Sequence, residues 1–508
     1  MKGKNILLLL FCLYAVLLAI SIWNHEMWRD ELQTWGIVIH SAGFSDLLEN
    51  KKYEGHPILW FAIVWVVSKF TGALICIQVI NYLFALITAW LIIYKSPFRV
   101  LQKTSLVFSY YFFYEYAAIS RNYMLAIMLI IGICVLWKSS ARRPGLIMLL
   151  LFLLCFTEAY ASIISVCLAI TLLVQQYFRS LPVKRKLVLL FFPLAAITGS
   201  VLSYITTVPP DDSEVNYPVR LVFSMDHLLR VLGNFWNGMI PVPKFTEHFW
   251  SMPLLNETTL AAILGIILMG VILTQAFSYK SLFIFLLLSI SGIMLFMYFK
   301  YSGYQRHFGH FFILYICYEW IKRYELPVTN ISVFQKGSSV ILYAILILNT
   351  TVGISFAVAD WILPFSSGKQ TARYISTHFP KDVSIAGFTD CPVTTVANYL
   401  EKDIYLLNNL HRSSYITFST RRIKPTYEVV LFNTLKLADS LHSMVLIMNY
   451  PFDFYSEYPV LKVGEKKTLT YQSPTGDHQI HFKNLAYFGN SMVDEENFYV
   501  YEVNRSMP

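Results

Sequence analysis

Apolar residues form long, nearly unbroken blocks over the first 360 positions and short, alternating runs after them. A helix needs ~20 apolar residues to cross a bilayer, and fewer where neighbouring helices shield its ends. On that length the blocks predict crossings near 5–23, 73–94, 104–118, 120–137, 145–157, 160–176, 187–206, 257–276, 281–299, 307–321 and 338–359. Pro57–Phe70 is also apolar, but at about 14 residues it suits a re-entrant or interfacial helix that does not cross.

The polar interruptions are as informative. In the first, 24–56, Trp28, Leu32, Trp35 and Ile39 recur at helical spacing. They predict an amphipathic helix whose apolar stripe lies on the membrane surface, with Asp30 and Thr34 on a second face that looks into a cavity. Ser45 then starts a second short helix, apolar at Leu47 and Leu48 and polar over 49–52. The second interruption, 207–256, holds Pro209-Pro210-Asp211-Asp212, Phe235-Trp236-Asn237-Gly238 and Trp250. A loop that long is a binding element or a structural interface. Beyond Leu363 the pattern predicts strands at Val383–Gly387, Ile404–Leu407, Val429–Phe432, Met444–Met448 and Phe498–Val503, with helices at Thr371–Phe379 and Val393–Leu400. Two domains follow: 1–360, transmembrane, and 361–508, a soluble α/β or α+β unit.

Composition agrees with this division. Of 508 residues 56% are hydrophobic and 14% charged, against ~25% charged in an ordinary soluble domain. The net charge of +9 does not indicate nucleic acid, because Lys and Arg sit in short loops between apolar blocks. Basic loops face the cytoplasm. The clusters Lys95/Arg99/Lys103, Lys138/Arg142/Arg143, Arg179/Lys184/Arg185/Lys186, Lys280 and Lys322/Arg323/Lys336 fall on one side if the N-terminus is inside and Pro57–Phe70 does not cross. That topology has about eleven crossings and puts loops 24–56 and 207–256, and everything after 360, on the extracytoplasmic side. Lys2 and Lys4 before the first block, with no small-residue cleavage site after it, read as a signal anchor. Six of seven cysteines lie in apolar blocks and Cys391 stands alone in the tail, so no disulfide framework or zinc spacing arises.

Charges at the edge of membrane spans are functional candidates. The predicted outer face gathers Asp30 and Glu31 with His56, Glu115 with Arg121, Glu158, and Arg306 with His307 and His310. Such a set suits transfer of a group from a membrane-embedded phosphate ester, with a carboxylate as general base and arginines on the departing phosphate. Each member also has a structural reading. Arg121 can snorkel to the interface, Glu115 and Glu158 can be paired inside the bundle, and two histidines without a third ligand do not make a metal site.

Trp28-Arg29-Asp30-Glu31-Leu32-Gln33-Thr34-Trp35, followed by Glu54-Gly55-His56-Pro57-Ile58-Leu59-Trp60, resembles the first loop of bacterial GT-C glycosyltransferases, the protein mannosyltransferase-like and aminoarabinose transferase-like membrane enzymes. Ser120-Arg121-Asn122-Tyr123, Tyr304-Gln305-Arg306-His307-Phe308-Gly309-His310 and Pro364-Phe365-Ser366-Ser367-Gly368-Lys369 resemble later elements of such chains. The resemblance implies a GT-C-like helical domain and a polyprenyl-phosphate sugar donor. It implies Asp30 as catalytic base, with Glu31 the alternative, and Arg121 and Arg306 on the phosphate. Tyr123, His307, His56, Glu115 and Glu158 are then expected around the substrates, with no resident cofactor and no metal ligands, although some relatives use a divalent ion. The acceptor is an extracytoplasmic glycan, lipid or protein, and direct displacement inverts the sugar. Two other classes fit the composition. A transporter or flippase requires charges near the bilayer midplane and broken helices repeated in both halves, and a non-catalytic scaffold requires only a partner-binding tail.

Overall fold

The computed structural model describes residues 2–140, 142–177, 188–246, 248–256, 259–325, 333–452, 461–473 and 476–506. The expected basic loop at Arg179 and Lys184–Lys186 lies outside them. Among the described residues six helices are long and apolar enough to span a bilayer: Gly3–Asn24, Cys76–Lys95, Asn122–Ser139, Thr259–Ala276, Lys280–Phe299 and Ser339–Ile362. Leu59–Ser68, Pro144–Cys155, Ala159–Gln175 and Phe191–Thr207 are shorter apolar helices. Gln305–Glu325 runs through the middle of the bundle, where Tyr315, Tyr318 and Trp320 are fully buried. The protein is therefore a polytopic helical membrane protein carrying a C-terminal domain built on a mixed sheet.

The expected crossing 104–118 is not one regular helix. Helix Val100–Val107 gives way to a π-helical turn, Tyr110–Glu115. The turn is all aromatic apart from Glu115, and its rings fill the bundle centre against Phe312 and Phe356. Such turns recur at functional sites. Helix Gln305–Glu325 passes so close that a Cβ on Gly309 would lie 2.3 Å from Tyr111 Cε1 and from Tyr116 Oη. Glycine there sets how near Arg306 comes to the rest of the site.

The first polar interruption forms helices Arg29–Ile39 and Phe44–Lys51. Its apolar stripe is not laid on the membrane surface, as the spacing suggested. Leu32 and Trp35 pack with Trp60, Phe61, Val64 and Ile77, and Trp28 turns to Trp250 and Phe365. Of the four stripe residues only Ile39 is exposed. Periodicity identified a buried face but not what buries it. Thr34 is buried as well, so of the predicted cavity face only Asp30 reaches open space. The second polar interruption contains a helix, Met225–Met239, started by Ser224, whose Oγ accepts the His227 N–H at 3.3 Å.

Seven strands, β1 Ile385–Phe388, β2 Ile404–Leu406, β3 His411–Ser413, β4 Ser443–Met448, β5 Lys466–Ser473, β6 Gly476–Phe488 and β7 Phe498–Arg505, form one sheet in the order β3-β2-β1-β4-β7-β6-β5. β1 is parallel to β2 and β4, and the other pairs are antiparallel. The strand expected at Val429–Phe432 is helical instead, within Tyr427–Leu441. Val430, Leu431, Thr434, Leu435, Leu437 and Ala438 bury one face at a 3.6-residue period that a four-residue window cannot display. β5 and β6 escaped notice because their exposed positions are charged or polar.

The domain seats on both polar interruptions. The Gln33 side-chain amide donates to the Ile416 carbonyl at 2.6 Å and accepts the Ile416 N–H at 2.9 Å. Arg422 holds Asp390 with two hydrogen bonds of 2.6 Å and Glu214 at 2.9 Å. Helix Arg29–Ile39 touches the domain at Gly36, where a Cβ would stand 2.7 Å from Tyr415 Cβ, an atom that cannot move without its backbone. Gly36→Val is therefore expected to weaken docking by about 1–3 kcal/mol, read as a lowered melting temperature and faster hydrogen exchange in 411–416. Unchanged exchange there contradicts the contact.

Candidate active site

The site grows from the junction between the first span and helix Arg29–Ile39. A helix N-terminus favours carboxylates in its first turn, and Asp30 and Glu31 occupy that turn. They point ~100° apart, and this separation gives them different surroundings.

Glu31 is fully buried. Its Oε2 faces His25 Nε2 at 3.0 Å and accepts the Trp28 N–H at 3.3 Å, and its Oε1 accepts the Ser120 N–H at 2.6 Å. His25 Nδ1 meets Asp360 Oδ2 at 2.8 Å, so the ring lies between two carboxylates. An imidazolium satisfies both as a donor. Burial alone would lower the His25 pKa, but Asp360 and Glu31 outweigh it and raise it to about 10. Glu31, the alternative base, thus ties the first loop to the last span and to the corner that carries Arg121.

Asp30 lies on the open side, its side chain 27% exposed. Its Oδ2 accepts from Arg121 Nη1 at 2.6 Å and from Arg306 Nη2 at 3.3 Å. Burial would raise its pKa, but Arg121, Arg306 and Arg29 hold the carboxyl below the usual carboxylate value. Arg121 precedes helix Asn122–Leu136 and lies over the Tyr123 ring. Arg306, in the first turn of Gln305–Glu325, is surrounded by Trp28, Trp250 and Tyr304, with centroids 5.8, 5.7 and 5.0 Å away. Its carbonyl accepts the Tyr116 hydroxyl at 2.6 Å, while its Nε is buried with no hydrogen-bond partner among the described residues. A cavity of about 420 Å³ opens beside Asp30 and Arg306, bounded also by Arg29, Trp250, Asn234 and, from the C-terminal domain, Val493 and Asp494, while Arg121 meets Asp30 from outside its lining.

The remaining predicted residues stand behind this group. His307 Nδ1 accepts the Tyr304 N–H at 2.8 Å, and its Nε2 is 3.1 Å from the Tyr123 hydroxyl. His310 bridges Glu158 Oε1 at 2.5 Å and the His307 carbonyl at 2.8 Å. Glu115 accepts from the Tyr110 hydroxyl at 2.5 Å and from Trp250 Nε1 at 3.0 Å. Glu115 and Glu158 therefore brace the walls. His56 Nδ1 bonds the Glu54 carbonyl at 2.7 Å, and burial followed by the charge of Arg121 pushes its pKa down to about 4, leaving it neutral. Glu54, which accepts from Gln33 at 2.7 Å, is pushed up to about 7 by burial. Among the described residues no three His, Cys, Asp or Glu side chains gather as a metal site.

Sequence reasoning missed His25, Asp360 and the clamp on Arg29, whose Nη1 bonds Glu495 at 2.7 Å while Glu496 accepts its N–H at 3.4 Å. Asp360 carried a usable signal, an acidic residue in an apolar block. His25→Ala leaves two buried carboxylates unpaired, an expected loss of about 3–5 kcal/mol. Because the folded pKa of His25 is raised, its contribution is fully present below about 6.5 and is lost as pH rises through about 10. Melting temperature against pH, wild type beside His25→Ala, should converge at the alkaline end. Parallel curves contradict the assignment.

No protein-family model matches the sequence, and no curated protein matches it. Among solved structures the chain is similar to the crystal structure of ArnT from Cupriavidus metallidurans bound to undecaprenyl phosphate. The identity is 12%, the alignment covers 97% of each chain and the TM-score is 0.49. A likeness at that level assigns neither family nor activity.

Proposed function

We propose that the protein is a membrane glycosyltransferase of the GT-C type, which moves a sugar from a polyprenyl-phosphate donor to an acceptor hydroxyl on the extracytoplasmic side. One observation carries the reading: Arg121 and Arg306 converge on a single oxygen of Asp30 at the edge of a cavity. Two guanidiniums aimed at one point suit a phosphate oxygen, and a carboxylate beside them suits a general base. The resemblance of residues 28–35 and 54–60 to the first loop of those enzymes points the same way.

In the proposed step, Asp30 takes the proton of the acceptor hydroxyl as its oxygen attacks the anomeric carbon. A new C–O bond forms, and the bond from that carbon to the phosphate oxygen breaks. Its electron pair leaves with the phosphate, whose charge Arg121 and Arg306 neutralise. Attack opposite the leaving group inverts the centre. Trp28, Trp250 and Tyr304 fix the Arg306 guanidinium, and the cavity walls limit water that would otherwise hydrolyse the donor.

The far end of the same helices supports this sidedness. Arg323 lies over the Phe98 ring, Lys138 over the Tyr324 ring, and the Tyr324 hydroxyl bonds the Lys95 carbonyl at 3.4 Å. Helix Gln305–Glu325 puts ~26 Å between Arg306 and that basic cluster. By the positive-inside rule the cluster is cytoplasmic and Asp30 faces out.

Asp30→Asn is expected to lower sugar transfer about 10²–10⁴-fold, measured with purified protein and a panel of radiolabelled polyprenyl-phosphate sugars. A wild type that consumes no donor, or a variant as fast as wild type, contradicts the proposal.

A further inference from the structure

The carboxylate assigned as base is occupied, because Oδ2 of Asp30 already accepts from both arginines. A carboxylate held by two cations is a weak proton acceptor, since the lone pairs of Oδ2 are engaged and the positive charge opposes protonation of Oδ1 as well. The arginines are also incompletely used. Arg306 Nε is buried with no partner among the described residues, a vacancy that a single carboxylate oxygen does not fill. A phosphate ester offers more acceptor oxygens and at least as much charge, and guanidinium forks match it two bonds at a time. The Arg306 head is boxed by three rings and its backbone is held by Tyr116, so it stays at the cavity whichever anion it binds.

We infer that Asp30 is a stand-in anion: donor phosphate displaces it from Arg121 and Arg306, and only this exchange relieves the charge that keeps it from acting as base. This rests on the function proposed above and adds an order to it. Donor binding switches the base on, and departure of the lipid phosphate returns the arginines to Asp30 and switches it off. The acceptor hydroxyl is therefore not deprotonated in a site that lacks donor. Glu31, one residue away, does not take over, because both of its oxygens hold protein groups.

The consequence is a competition that binding alone can read. With full-length protein in lipid nanodiscs and undecaprenyl monophosphate, which carries no sugar, as the probe, Asp30→Asn should bind at least about tenfold more tightly than wild type. Arg306→Gln should bind more weakly than wild type. Equal or weaker binding by Asp30→Asn overturns the exchange while leaving the donor site standing. Failure of wild type and every variant to bind the lipid phosphate overturns the proposed function and the exchange with it. If Asp30→Asn does not fold, the wild type alone decides through infrared difference spectra on adding the lipid phosphate. Loss of two guanidinium partners should shift a carboxylate stretching band, and an unchanged carboxylate region overturns the exchange.

Discussion

Much of this structure depends on one buried imidazolium. His25 lies between Glu31 and Asp360, 3.0 and 2.8 Å away, where the first span, the first outer loop and the last span meet. Removing one partner of such a group strands the others without solvent, so the three segments hold one another in register. Glu31 extends the link to Ser120, and through it to the corner that presents Arg121. Asp30 inherits its position from that arrangement. The residue turned inward is the anchor, and its neighbour turned outward meets Arg121 and Arg306 at the cavity.

Close packing supplies the second constraint. Arg306 reaches Asp30 because Gly309 lets its helix press on the π-helical turn, and Gln305 holds the same turn through the Tyr111 hydroxyl at 2.9 Å. The C-terminal domain completes the frame by clamping Arg29 with Glu495 and Glu496 and by contributing Val493 and Asp494 to the cavity. The sheet domain is thus part of the cavity wall beside Asp30.

Much of this was legible in the residues themselves. Long apolar blocks announce helices in lipid whatever their neighbours, and charges at their edges stand out. Asp30, Arg121 and Arg306 could be singled out on that basis, and they meet at one oxygen. What stayed hidden depends on partners far along the chain. Glu31 and Asp30 look alike in sequence, and only His25 and Ser120 separate them. The stripe of Leu32 and Trp35 announces burial without saying whether lipid or protein buries it. A π-helical turn of five aromatics and a glutamate reads as a continuous span. Hairpin β5–β6 carries too little apolar signal, and in the four-residue run Val429–Phe432 helix and strand periods look the same.

The most direct test of the central claim is where a lipid phosphate settles. A cryo-EM structure of the protein in nanodiscs with undecaprenyl monophosphate should show the phosphate bonded by both Arg121 and Arg306, with Asp30 Oδ2 released from them and facing the cavity. A phosphate bound elsewhere, with both arginines still on Asp30, would contradict the account.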